Sequence, residues 1–180
     1  GVTLDPLPWA APGLWDRGPA VRVRMATGGP LPSVDIPRLL AGANLFAIGE
    51  GGPGGWELFQ AARADLVAPE TYALSLRLRG QLGTDADMAV EWPAGARVVL
   101  VDRTLVQLNL PSSARGLEWH YRIGPAGLPL DDPAVVHRVA AFEGIGLRPY
   151  APAHLTASAR SDGGLDLEWT RRTRVDGDSW

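Results

Sequence analysis

The sequence contains no cysteine. That removes disulfide frameworks and thiolate metal sites together, and it leaves the redox compartment open. Lysine is absent as well, so all 17 basic residues are arginine. They are dispersed, and beside the Ala, Gly and Pro content they read as the bias of a GC-rich coding sequence rather than as a binding device. No apolar run reaches the ~18 residues that a helix needs to cross a bilayer, so no membrane-spanning segment is expected. No run of five or more like charges occurs, and the net charge is −3 with a pI near 5.6. Such a balance gives no electrostatic footprint for nucleic acid, and direct sequence-specific nucleic-acid binding is not expected.

What is present is apolar residues, glycine, proline and tryptophan. Nearly half of the 180 residues are apolar, enough for one sizeable core or for one domain and part of a second. The clearest period lies in Tyr72 to Arg79. Tyr72, Leu74, Leu76 and Leu78 alternate with Ala73, Ser75, Arg77 and Arg79, which predicts a half-buried β-strand with the four large side chains on the core side. Their burial contributes roughly 1.5–3 kcal/mol each before chain entropy is subtracted, so the strand needs partners. Trp56, Leu58 and Gln60 alternate with Glu57, Phe59 and Ala61 just upstream, and Pro69-Glu70-Thr71 is a turn signal between the two arms. Gly80 and Gly83 close this meander.

Further strands are predicted at Val21 to Met25, at Asn44 to Ile48, over Arg97 to Asp102 paired with Leu105 to Leu110, and over Leu117 to Ile123. Another follows the Asp131-Asp132-Pro133 turn, from Val135 to Phe142. Asp35 is placed to cap a short connector helix over Ile36 to Ala41, with Pro37 in its first turn and Gly42 as its stop. Residues 1–20, with Pro6, Pro8, Pro12 and Pro19, are expected to lie as an extended arm over the surface. A linker at Arg148 to Pro152 precedes a hairpin, Leu155 to Arg160 and Leu165 to Thr170, turning at Asp162-Gly163-Gly164. The fold class is therefore mainly β: an antiparallel barrel or meander with a short connector helix, followed by the opening strands of a β-sandwich. The expected division is 1–20 arm, 21–146 barrel-type domain, 147–180 linker and incomplete sandwich.

Each polar or aromatic cluster has a chemical and a structural reading. Trp9 and Trp15 offer flat indole faces for stacking on sugars, or pin the arm to a neighbouring domain. The Gly49 to Gly55 loop has the composition of a phosphate cradle, but a strand follows it where a helix N-terminus is required and no lysine is available, so it is read as a hairpin loop. Asp85 and Asp87 fall short of the six oxygens that calcium takes and are read as solvated turn carboxylates. His120 and His137 sit in strands without a paired nucleophile or carboxylate, so no general base is assigned. Arg171, Arg172 and Arg174 near Asp176 and Asp178 are a charge cluster at a strand end. Trp119 and Trp169, on alternating apolar faces, are expected in the core. No catalytic, cofactor-binding or metal-binding residue is assigned, no cofactor is expected, and the segment is not expected to be an enzyme.

Four runs carry a family resemblance. The Trp56–Thr84 stretch, WELFQAARADLVAPETYALSLRLRGQLGT, is followed in order by Tyr121–Gly127 (YRIGPAG), Leu147–Leu155 (LRPYAPAHL) and Trp169–Trp180 (WTRRTRVDGDSW). This ordered set resembles the C-terminal portion of tail hub or baseplate proteins of siphophages and of phage-derived gene transfer agents, from about Ala41 onward. The Leu165-Leu167-Trp169 hairpin is similar to the start of a fibronectin type III domain. The resemblance implies a virion structural protein in the tail tip of a phage-like particle, assembled in the bacterial cytoplasm and released. It further implies a trimer of itself in contact with neighbouring tail proteins, and a role in host attachment and DNA delivery. The first residue is not Met and the chain stops abruptly at Trp180, as expected of a segment of a longer polypeptide. The competing expectation is a non-catalytic carbohydrate-binding accessory module of a secreted or surface protein, with cell-surface glycan as its partner.

Overall fold

The computed structural model describes residues 1–26, 29–52 and 55–174. In chain order the first hundred residues form β1 (Val2–Thr3), β2 (Leu7–Pro8), β3 (Trp15–Asp16), β4 (Val21–Arg24), α1 (Ile36–Leu40), β5 (Leu45–Gly49), β6 (Glu57–Ala68), β7 (Thr71–Leu78), β8 (Glu91–Trp92) and β9 (Arg97–Leu100). Six of these strands close an antiparallel barrel in the order β7-β4-β1-β9-β5-β6, because β6 returns to pair with β7. Closure leaves no free edge in the barrel for another chain to template on. The mainly β class and the barrel agree with the periodicity.

The core follows from the alternation. Val21 and Val23 point inward from β4 while Arg22 and Arg24 stay outside. Phe46 and Phe59 are cross-strand partners and stack with ring centroids 5.3 Å apart. Ile48, Leu74 and Val98 complete the fully buried layer. Leu7 and Trp92, from the short β2–β8 ribbon, belong to the same buried cluster, so the ribbon seals the barrel rather than standing beside it. α1 has the expected cap: the Asp35 carboxylate accepts from the Arg38 amide at 2.9 Å.

Several expectations are corrected. The first twenty residues are drawn into the fold: Val2 pairs with both Arg24 and Arg97, and Trp15 and Asp16 pair with Leu78 and Arg77. Proline removes a donor only at its own position, and the residues between the prolines are free to pair. Leu105 to Leu110 forms no strand. β9 already has β5 on one side and β1 on the other, so no edge is left for it. Finally, the alternation of β7 does not run through to Arg79. Leu76 has φ +52°, in the left-handed region, and beyond it the inward positions change from even to odd. Arg77 and Arg79 become 2% and 0% exposed, whereas Leu76 and Leu78 are only half-buried.

Beyond the barrel, β10 (Glu118–Ile123) pairs with β11 (Val136–Ala141), and β12 (Ala153–Ala159) pairs with β13 (Leu165–Thr170). Both are two-stranded. Among the described residues no second sheet covers either hairpin, and Trp119 and Trp169 are 42% and 54% exposed rather than in the core. The 3-10 segments Gln81–Asp87 and Ile145–Leu147 pack together, and Gly83 makes the approach possible: a Cβ there would lie 2.2 Å from the Ile145 carbonyl oxygen.

Candidate functional site

The change of phase at Leu76 builds a chain of buried charges at the β7 end of the barrel. Glu57, at the start of β6, accepts from Arg79 through both oxygens, Oε1–Nε at 2.5 Å and Oε2–Nη2 at 2.7 Å. The Trp92 indole N–H donates to Oε2 at 2.7 Å, and the Gly80 amide donates to Oε1 at 3.2 Å. Arg79 also donates to the Pro8 carbonyl at 2.8 Å and reaches to 3.7 Å from Asp16. Arg77 donates to Asp16 Oδ2 at 2.8 Å and to the carbonyls of Pro19 and Leu74. No buried side-chain nitrogen or oxygen among the described residues lacks a partner. Satisfied networks of this kind fix one arrangement of the elements they join, here β2, β3, β6, β7 and β8.

The electrostatics of Asp16 follow from that setting. Burial pushes its carboxyl up, yet the hydrogen bond from Arg77, the bond from the Gly18 amide and the charges of Arg77 and Arg79 outweigh it, so its pKa lies below the ordinary carboxylate value. The exposed pair on the barrel's outer wall behaves alike. Arg22 holds Asp5 through two side-chain bonds of 2.9 and 2.6 Å and its own amide, lowering the Asp5 pKa to about 2.

Residues 1–99 match the family model described as Rcc01698-like, C-terminal. The chain belongs to that family. Comparison with curated proteins finds no match. The matched residues of the Rcc01698-like domain include every strand of the barrel and the whole buried charge chain up to Val99 in β9.

The other residues singled out in the sequence lie partly within this domain and partly beyond it. Trp9 is 52% exposed. Trp15, by contrast, lines a cavity of ≈ 400 Å³ together with Leu40, Gln81, Tyr150 and Arg172. The cavity lies where the linker meets the barrel, and Arg172 and Arg174 lie over the Tyr150 ring at 4.9 and 3.9 Å. Asp85 faces Arg174 at 3.6 Å. Asp176 and Asp178, the acidic half of the charge cluster read from sequence, lie outside the described residues. The glycine loop joins β5 to β6 as a hairpin connection, with the Trp56 indole donating to the Gly52 carbonyl at 3.0 Å; its Pro53 and Gly54 are outside the described residues.

His120 and His137 come together on the β10–β11 hairpin. Their rings lie edge to edge, 14° from parallel with centroids 5.1 Å apart, and Nδ1 of His120 lies 2.9 Å from Nε2 of His137, a hydrogen bond between the two imidazoles. Desolvation, followed by the charges of Arg122 and His120, holds the His137 pKa below the ordinary imidazole value. Sequence spacing treated the two histidines separately. Only the observed register, with His120 opposite Val139 and Arg122 opposite His137, places them as diagonal neighbours. The buried charge chain was missed for another reason: a leucine gives no hint that it will adopt positive φ.

Proposed function

We propose that this chain is a non-catalytic structural component of a phage-like tail tip, a hub or baseplate element that contributes to tail assembly and to delivery of DNA into the recipient cell. It works as one of three copies around the tail axis and packs against neighbouring tail proteins. Family membership over residues 1–99 and the ordered run of motifs out to Trp180 support this reading. The observation that carries it is the surface of the outlying hairpins. Leu117, Trp119 and Ile123 on one, and Leu155, Leu165, Leu167 and Trp169 on the other, are each between 42% and 66% exposed. Apolar residues gathered on exposed sheet faces suit contact with other proteins.

The non-catalytic part of this reading is supported by how the buried acids are used. Glu57 and Asp16 are both engaged by guanidinium groups, which leaves neither free for proton transfer. Cross-linking of intact particles followed by peptide mass spectrometry tests the role. Links from the segment 117–170 to other tail proteins are expected, and links to none of them would count against it.

A second reading has one observation in its favour. Trp15 lines the cavity beside Arg172 and supplies an indole, a side chain suited to stacking on a sugar ring. Under it the chain is a carbohydrate-binding module. Binding on a glycan array that is lost in Trp15→Ala would favour this over the tail-tip role.

A further inference from the structure

We propose that His120 and His137 form a proton-operated latch on the β10–β11 hairpin, closed while the pair holds no more than one added proton and opened by the second. The register sets Arg122 opposite His137 and His120 opposite Val139, so both imidazoles stand on one face of the hairpin. Nδ1 of His120 and Nε2 of His137 are 2.9 Å apart and face each other as the two ends of one N–H···N bond. Among the described residues no other side-chain hydrogen bond crosses from β10 to β11.

Proton count decides whether that bond exists. With both rings neutral, one facing nitrogen carries the hydrogen that the other accepts. One added proton still leaves a donor facing an acceptor, and the bond is then charge-assisted. A second puts hydrogen on both facing nitrogens, so the acceptor is gone and two positive rings are left in contact. Like charges across a strand pair are destabilising, and a two-stranded hairpin has little stability in reserve against them.

The surrounding charges act in the same sense. Arg122 lies directly opposite His137, whereas Glu118, the acid on this face, lies at the far end opposite Ala141. Among the described residues no carboxylate forms an ion pair with either ring. The two strands pack mainly on each other. The cavity beside His137 is lined from elsewhere in the chain by Gly51, Gly52 and Leu108, and the charged groups on that side are Glu50 and the Arg97 guanidinium packed on Gly51. Desolvation, then Arg122 and His120, holds the His137 pKa below its ordinary value. In the opened hairpin the ring returns to about 6.5, so the open form binds more protons just below that value. The latch is therefore at full strength above about pH 6.5 and weakens as pH falls from there toward the lower value of the closed form.

The test is nuclear magnetic resonance of the full chain, with amide exchange over residues 118–123 and 136–141 measured at about pH 7.5 and about pH 5 and each rate divided by its intrinsic rate. Hairpin exchange is expected to rise roughly two- to fivefold at the lower pH, with β5 and β9 unchanged. His120→Gln places a neutral side chain beside His137; the rise is expected to vanish and the His137 ring to titrate at higher pH. Arg122→Gln keeps both histidines and removes the neighbouring charge, so opening is expected at lower pH. His154→Gln, which alters the third histidine of the chain, is expected to behave as the parent. Unchanged protection of β5 and β9 shows that the exposed substitutions spare the barrel. Hairpin exchange that is the same at both pH values in the parent, an equal rise in His120→Gln, or a His137 ring indifferent to the loss of His120 overturns the proposal.

Discussion

Glu57 and Arg79 meet as a bidentate ion pair with both side chains fully buried, Oε1–Nε at 2.5 Å and Oε2–Nη2 at 2.7 Å. The pair joins the first residue of β6 to the end of β7, and Trp92 and the Pro8 carbonyl extend it into the β2–β8 ribbon. Taking either charge away leaves the other unpaired in a medium that penalises it. Glu57→Gln is therefore expected to destabilise the protein by about 3–5 kcal/mol. Urea midpoints measure this. The double change Glu57→Leu with Arg79→Met is expected to recover part of the loss, since replacing both charges removes the orphaned ion.

Trp92 separates packing from hydrogen bonding at the same place. Its indole N–H donates to the Glu57 carboxylate while its ring fills the core. Trp92→Phe keeps most of the apolar surface and removes the donor. The expected cost is about 1.5–3 kcal/mol, the range for a bond to a charged group. A loss below ~0.5 kcal/mol in the same urea titration would show that the carboxylate does not depend on this donor.

The acidic limb of stability rests on depressed carboxylates. A group whose folded pKa is lowered adds stability above its unfolded value, and that stability is lost as pH falls toward the folded value. Asp5, at about 2 in the fold against an ordinary value near 4, therefore loses its contribution between about pH 4 and 2, and Asp16 acts in the same direction. The Asp5–Arg22 pair is exposed, so solvent screening keeps its share to about 1 kcal/mol or less. Asp5→Asn should flatten this part of the stability curve, as read from thermal midpoints across the acid range.

Gly83 governs the contact between the barrel and the segment that follows. It has φ +91° and no room for a Cβ against Ile145. Gly83→Ala is expected to separate Gln81–Asp87 from Ile145–Leu147 while leaving the barrel intact. Hydrogen exchange checks this: faster exchange is expected around residues 81–87 and 145–147, with unchanged protection in β5 and β9.

How far the sequence reached depended on whether the signal was local. Val21 and Val23, the Asp35 cap, the Pro69-Glu70 turn and the Gly163 hairpin each depend on neighbours a few residues away, and all stand where the pattern placed them. Val2 could not be assigned to the barrel in the same way, because it pairs with Arg97 at the far end of the domain. Leu105 to Leu110 has the composition of a strand but no ladder edge to join. Leu76 concealed the most. One residue at positive φ exchanged the faces of β7, and a run read as two leucines inside and two arginines outside became a buried ion network. Of the candidate sites, the two histidines were visible as residues, but their contact was visible only through the register of β10 and β11.

The proposed role at a tail tip is tested most directly by cryo-electron microscopy of purified particles, with the chain carrying a small tag read by gold-labelled antibody. Label confined to the tail tip, with density for three copies of the barrel around the axis, is the expected result. Label on the head, or particles that carry no copy of the chain, would contradict it.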